Sequence, residues 1–86
     1  MAYRSNDDIT WKHQGKEMLL VNLANGAYFK LDAPSAIIWS GLMDGQSNAE
    51  IVEVIKDTFN TQGADVAGDV KCQIGAMLKE NIIREV

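Results

Sequence analysis

One cysteine, one histidine and one proline stand among 86 residues, and these scarcities exclude several kinds of chemistry at once. With Cys72 alone there is no internal disulfide and no cysteine-based zinc site, and a lone thiol fits a reducing compartment. With His13 alone there is no multi-histidine metal centre, and any Ser-His or Cys-His pair would have to be built on that one ring. The phosphate-loop pattern Gly-x-x-x-x-Gly-Lys-Ser and the pattern Gly-x-Gly-x-x-Gly are both missing, so no nucleotide cradle is visible. No apolar run nears the roughly 20 residues that cross a bilayer, and the start, Met1 to Asp8, is polar. A cytoplasmic address with neither anchor nor secretory signal is therefore expected. Cations are scarce too: 8 Lys and Arg face 12 Asp and Glu, a net charge of -4, which disfavours nucleic acid and anionic membranes and favours basic partners.

What remains is ordinary globular material, 47% hydrophobic and 23% charged, at a length that suits a single domain over residues 1–86. Residues 1–7 are expected to be a flexible N-terminus. The first third alternates apolar and polar residues with period two, which predicts three strands. The first runs from about Asp8 to His13, with Ile9 and Trp11 on one face, and turns at Gln14-Gly15-Lys16. The second, about Glu17 to Asn22, carries Met18, Leu19, Leu20 and Val21 without interruption, which predicts a middle strand covered on both faces. Asn25-Gly26 is a strong hairpin signal, so the third strand, Ala27 to Leu31, returns beside the second. Ala27, Phe29 and Leu31 then point to one face, Tyr28 and Lys30 to the other.

At Asp32-Ala33-Pro34 the pattern becomes helical, since an acidic N-cap followed by proline in the first turn starts a helix well. Helix one is predicted over Pro34 to Met43 and is stopped by Asp44-Gly45. Ser47 and Glu50 form a Ser-x-x-Glu capping box for helix two, whose stripe is Ile51, Val52, Val54, Ile55 and Phe59 and which ends near Asn60. Helix three is expected from Asp65 to Asn81, with Val66, Val70, Ile74, Met77 and Leu78 on one side. Gly68 and Gly75 weaken it and open shallow grooves, and Ile82 to Val86 form an apolar tail packed beneath it.

Little in this pattern can do chemistry. His13 reads as an exposed strand-end residue and Cys72 as a helix-surface thiol, because its neighbour Lys71 does not face it. The acid pairs Asp7-Asp8, Glu50-Glu53 and Asp65-Asp69 match helix dipoles or solvent rather than a metal. Trp11 and Trp39 read as core residues. No catalytic residue, metal or cofactor is expected.

The run Asn22-Leu23-Ala24-Asn25-Gly26-Ala27-Tyr28-Phe29-Lys30-Leu31-Asp32, followed by Ile38-Trp39 and Asp44-Gly45, resembles the PqqD-like family, as do Ala49-Glu50-Ile51-Val52 and Leu78-x-Glu80-Asn81-Ile82-Ile83. The likeness spans about Ile9 to Val86, with Asn81 where the family usually has glycine. It implies an α+β, winged-helix-like domain, a three-stranded antiparallel sheet followed by three helices. It also implies a non-catalytic precursor-peptide (RiPP) recognition element of the lasso-peptide or PQQ-biosynthesis type, a chaperone that holds a leader peptide for a protease, cyclase or radical SAM enzyme. In the family the leader adds as a strand to the third strand, in a cleft walled by the third helix. Ala27, Tyr28, Phe29, Lys30 and Leu31 are then the expected peptide-binding edge, with Val70, Gln73, Ile74 and Met77 as the wall. Asp69 and Gln73 flank one edge of the helix-three stripe and Lys71 and Gly75 the other; either could face the leader. Phe29→Asp or Leu31→Asp is expected to weaken binding with the fold intact. The order of elements also permits a winged-helix DNA-binding module, which the charge opposes: the second and third helices offer only Lys56, Lys71 and Lys79.

Overall fold

The computed structural model describes residues 3–86. Its elements run β1 (Tyr3–Ser5), β2 (Ile9–Gln14), β3 (Glu17–Asn22), β4 (Tyr28–Leu31), α1 (Ala33–Met43), α2 (Asn48–Thr58), α3 (Val66–Lys79) and β5 (Ile83–Glu85). The expected meander is present as an antiparallel sheet in the order β2-β3-β4, and the third predicted strand is β4. Gly15 and Gly26 take positive φ at the two turns. The second turn is wider than a two-residue hairpin: Asn22 N–H donates to Ala27 O, and Asn22 Oδ1 accepts from Ala24 N.

β3 is the middle strand, but it is covered on one face only. Met18 and Leu20 are fully buried while Leu19 and Val21 are half-buried, because α1 packs on one side and no described element packs on the other. The unbroken apolar run of β3 therefore reflects one helix-covered face and one lightly apolar outer face.

The helices follow their sequence signals closely. Asp32 caps α1 by accepting from Ser35 N, Pro34 lies in the first turn, and Gly45 follows at φ +77°. Both halves of the capping box on α2 form: Ser47 Oγ accepts from Glu50 N, and Glu50 Oε1 accepts from Ser47 N at 2.9 Å. These bonds hold the Glu50 carboxyl below its usual range, the Ser47 backbone donor first and its hydroxyl second. Asp65 caps α3, and Asn81 stands in the left-handed region at φ +58°, doing for this C-terminus what glycine usually does. Gly68 admits the capping carboxylate of Asp65, which a Cβ would strike, whereas a Cβ on Gly75 would meet open space. Neither glycine admits a second element.

The two ends of the chain depart from expectation. The tail does not merely pack beneath α3: Ile83–Glu85 forms a strand that pairs with Tyr3–Ser5 in a second, two-stranded sheet. Residues 3–5, expected as part of a flexible terminus, are thereby held, and residues 1–2 lie outside the described residues. Period-two patterning over three residues is too short to read, which hid both strands. Ile82 and Ile83 are buried, joining the core of Ile9, Leu31, Ile38, Trp39, Ile51, Val70, Ile74 and Met77. Trp11 is 49% exposed rather than interior; its ring lies 4.8 Å from that of buried Trp39 and lids it.

Candidate functional site

β4 pairs with β3 on one side and with no described strand on the other. Which of its backbone groups face the open side follows from the ladder. Antiparallel pairing alternates hydrogen-bonded and non-hydrogen-bonded residue pairs. Asn22 and Ala27 form a bonded pair, and the register continues Val21 to Tyr28, Leu20 to Phe29, Leu19 to Lys30 and Met18 to Leu31. Phe29 and Leu31 thus bond inward to β3. Tyr28 and Lys30 turn both their N–H and C=O groups to the open edge, four unpaired backbone groups in all.

The side chains divide the other way. Phe29 is half-buried against the core and Leu31 is 8% exposed, while Tyr28 is 72% exposed on the outer face. Lys30 also lies outward, its Nζ 3.6 Å from Glu17 Oε1. Ala27 is half-buried and precedes the strand.

Where β4 ends, the chain enters a cavity of about 320 Å³ bounded by the start of α1, the end of α2 and the first half of α3. Its floor is apolar: Ile38, Ile55, Val66 and Val70 are buried, and Phe59 is half-buried. Asp32, Asp69, Cys72 and Gln73 line its exposed rim. The Asp69 and Gln73 edge of α3 therefore faces the cavity, and Lys71 and Gly75 do not line it.

Of the helix-three residues singled out from sequence, Val70 contributes floor and Gln73 rim, but Ile74 and Met77 do not line the cavity. At 4% and 2% exposure they belong to the core. Lining residues with no site role expected from sequence include Asp32, Ile38, Ile55 and Phe59, while Asp69 belongs to the one of the two helix-three edges that lines the cavity. Asp32 was legible only as a cap. Phe59 was read as part of the α2 stripe, yet it is the C-cap in extended backbone, φ -122°, which turns it into the cavity lining. His13 is exposed beside a second, shallower pocket with Lys16, Ser40 and Asp44. Among the described residues no three His, Cys, Asp or Glu side chains gather as metal ligands. No helix is long and apolar enough to cross a membrane.

Residues 17–83 match the family described as Coenzyme PQQ synthesis protein D (PqqD). Two solved structures resemble the chain over nearly all its length. TbiB1 in complex with the TbiA(beta) leader peptide is 28% identical with a TM-score of 0.81, covering 96% of each chain. Lasso peptide synthetase B1 complexed with the leader peptide is 19% identical with a TM-score of 0.88, covering 99% of this chain and 100% of that one, a likeness of fold. Among curated proteins none matches.

Proposed function

The chain belongs to the PqqD family, and from that premise we propose that it is a non-catalytic recognition element that captures the leader segment of a ribosomally made precursor peptide by adding it as a strand to β4. The observation that carries this reading is the pair of outward-facing residues Tyr28 and Lys30, whose four backbone groups have no strand partner among the described residues, on a strand that leads directly into Asp32 at the lining of an apolar cavity. A free edge supplies sequence-independent hydrogen bonds and an adjacent pocket supplies side-chain selection, which is the division of labour that strand addition uses. Leader complexes of TbiB1 and of lasso peptide synthetase B1 support the same assignment, and the second favours a lasso-type precursor. The chain acts in the cytoplasm and hands the peptide to a modifying enzyme or protease, which performs the chemistry.

The site is Tyr28 and Lys30 for main-chain pairing, Phe29 and Leu31 as the inward wall that sets strand position, and Val70 with Gln73 as the facing helix. Ile74 and Met77 act behind it as packing. The DNA-binding alternative has no observation in its favour, since α2 and α3 present only Lys56, Lys71 and Lys79. The test is amide hydrogen exchange on the chain with and without a synthetic leader of the precursor encoded beside its gene. Protection gained at Tyr28 and Lys30 is expected. Binding that leaves both amides exchanging as before would sink strand addition at this edge.

A further inference from the structure

The cavity rim carries charge of one sign. Asp32 and Asp69 line it, and no Lys, Arg or His does. Asp32 Oδ1 accepts from Ser35 N at 3.0 Å, and its second oxygen has no partner among the described residues. The Asp69 carboxylate has no hydrogen bond or ion pair there either; the ion pairs of the described residues are Arg4 to Asp7, Arg84 to Asp7 and Lys30 to Glu17, none of whose residues lines the cavity. Two carboxylates with no cationic side chain beside them among the described residues, each at a helix N-terminus, thus stand at the mouth of an apolar hole whose floor is Ile38, Ile55, Val66 and Val70.

Any segment laid over that mouth displaces water from both carboxylates. An acidic or purely apolar segment leaves them less solvated with nothing in return, whereas an ammonium or guanidinium forms charge-assisted hydrogen bonds with the free oxygens. The hole itself, at about 320 Å³, is at the small end of ligand pockets and fits one or two apolar side chains rather than a cofactor. It lies past the end of β4, since Asp32 of its lining directly follows Leu31, the last residue of that strand.

We propose that this cavity selects the leader by a paired signal, an apolar anchor side chain with a Lys or Arg beside it, Asp32 and Asp69 being the residues that read the charge. The selection rests on strand addition at β4, since the anchor lies at whichever end of the added strand meets Asp32. Because the rim is exposed, each carboxylate contributes modestly, about two- to fivefold in affinity at low salt, and less as salt screens it.

The experiment selects a displayed library of random peptides on the full chain, then measures synthetic copies of the selected peptides against the chain, the variants Asp32→Asn and Asp69→Asn, and Lys30→Pro. Asparagine still caps α1, so the first variant keeps the helix start. Peptides enriched in a Lys or Arg next to an apolar residue, weakened about two- to fivefold by each Asn variant at low salt and by Lys30→Pro, are the expected result. Peptides that Lys30→Pro weakens but that lack a basic residue, or bind the Asn variants unchanged, overturn charge selection and leave strand addition standing. Peptides indifferent to Lys30→Pro overturn strand addition and this inference with it.

Discussion

Replacing Lys30 by proline removes one outward N–H and nothing from the β3 to β4 ladder, because Lys30 is in a non-hydrogen-bonded pair with Leu19. Proline is tolerated on edge strands when its nitrogen faces solvent, and Phe29 before it is already extended, as that position requires. A strand paired at this edge loses one of the four hydrogen bonds offered by Tyr28 and Lys30 and presents a carbonyl to a ring that cannot donate. One net hydrogen bond plus partial desolvation of that carbonyl, at a half-exposed edge, comes to about 1–2 kcal/mol, roughly five- to thirtyfold in Kd. The side chain must be separated from the backbone. Lys30→Ala removes the ion pair to Glu17, whose partners are 61% and 46% exposed, so it should cost at most about 1 kcal/mol of stability and change Kd no more than about twofold. Fluorescence anisotropy of a labelled leader measures both variants, and far-ultraviolet circular dichroism checks that both remain folded. Equal affinity for Lys30→Pro and Lys30→Ala would refute backbone pairing at β4. Leu31→Asp is a poor substitute for this test, since Leu31 is 8% exposed and a carboxylate there opens the core.

Glu50 has a lowered folded-state pKa, so its share of stability is present above the usual glutamate range and is lost as pH falls through the folded value. The melting-temperature gap between the wild type and Glu50→Ala should stay constant near neutrality and close below about pH 4, a gap that persists into strong acid being the contrary result. At Asn81, φ +58°, Asn81→Gly should leave stability unchanged or slightly raised, while Asn81→Val should lower it by about 1–2 kcal/mol in urea titrations. Removing residues 1–5 deletes β1, unpairs β5 and uncovers Ile83, now 2% exposed, and should lower stability by about 2 kcal/mol or more; a melting temperature that does not move would show that β1 contributes nothing.

Local signals with a mechanism were read correctly from sequence: the Ser47 and Glu50 box, the Asp32 cap, the Gly45 stop and Asn81 as a glycine substitute all stand where expected. Each acts within one helical turn, so nothing distant has to be known. The three-strand meander was legible for the same reason, its turns lying in Gly15 and Gly26. The closure of the termini was not, because Tyr3 to Glu85 is a pairing between chain ends and neither partner alone has a periodicity. Site residues divided along the same line. The edge of β4 could be read from its own sequence, whereas the cavity is assembled from α1, α2 and α3, so whether Val70 or Ile74 reaches it depends on how helices cross.

The sheet has two free edges, and backbone hydrogen bonding alone does not choose between them. By the same alternation, β3 turns Asn22, Leu20 and Met18 toward β4 and Val21, Leu19 and Glu17 toward β2, which leaves Ile9, Trp11 and His13 facing outward on β2. Ile9 N–H is already taken by Asn6 O at 3.0 Å, and the half-exposed Trp11 ring is held against Trp39 on the face where an incoming strand would lay its alternate side chains. Charge separates the edges less sharply: Lys12 and Lys16 stand along β2 and its turn, Lys30 stands on β4 beside Glu17, and Asp32 and Asp69 line the cavity past the end of β4. A basic extended segment is therefore favoured past the end of β4, where Asp32 and Asp69 line the cavity with no cation, over the end of β2, where the second pocket carries Lys16 as well as Asp44. The pocket at the end of β2, lined by His13, Lys16, Ser40 and Asp44, is shallower and carries charge of both signs. On the proposed strand addition, side chains set the direction of approach to this small acidic domain, and the β4 backbone would supply the affinity once the segment has arrived.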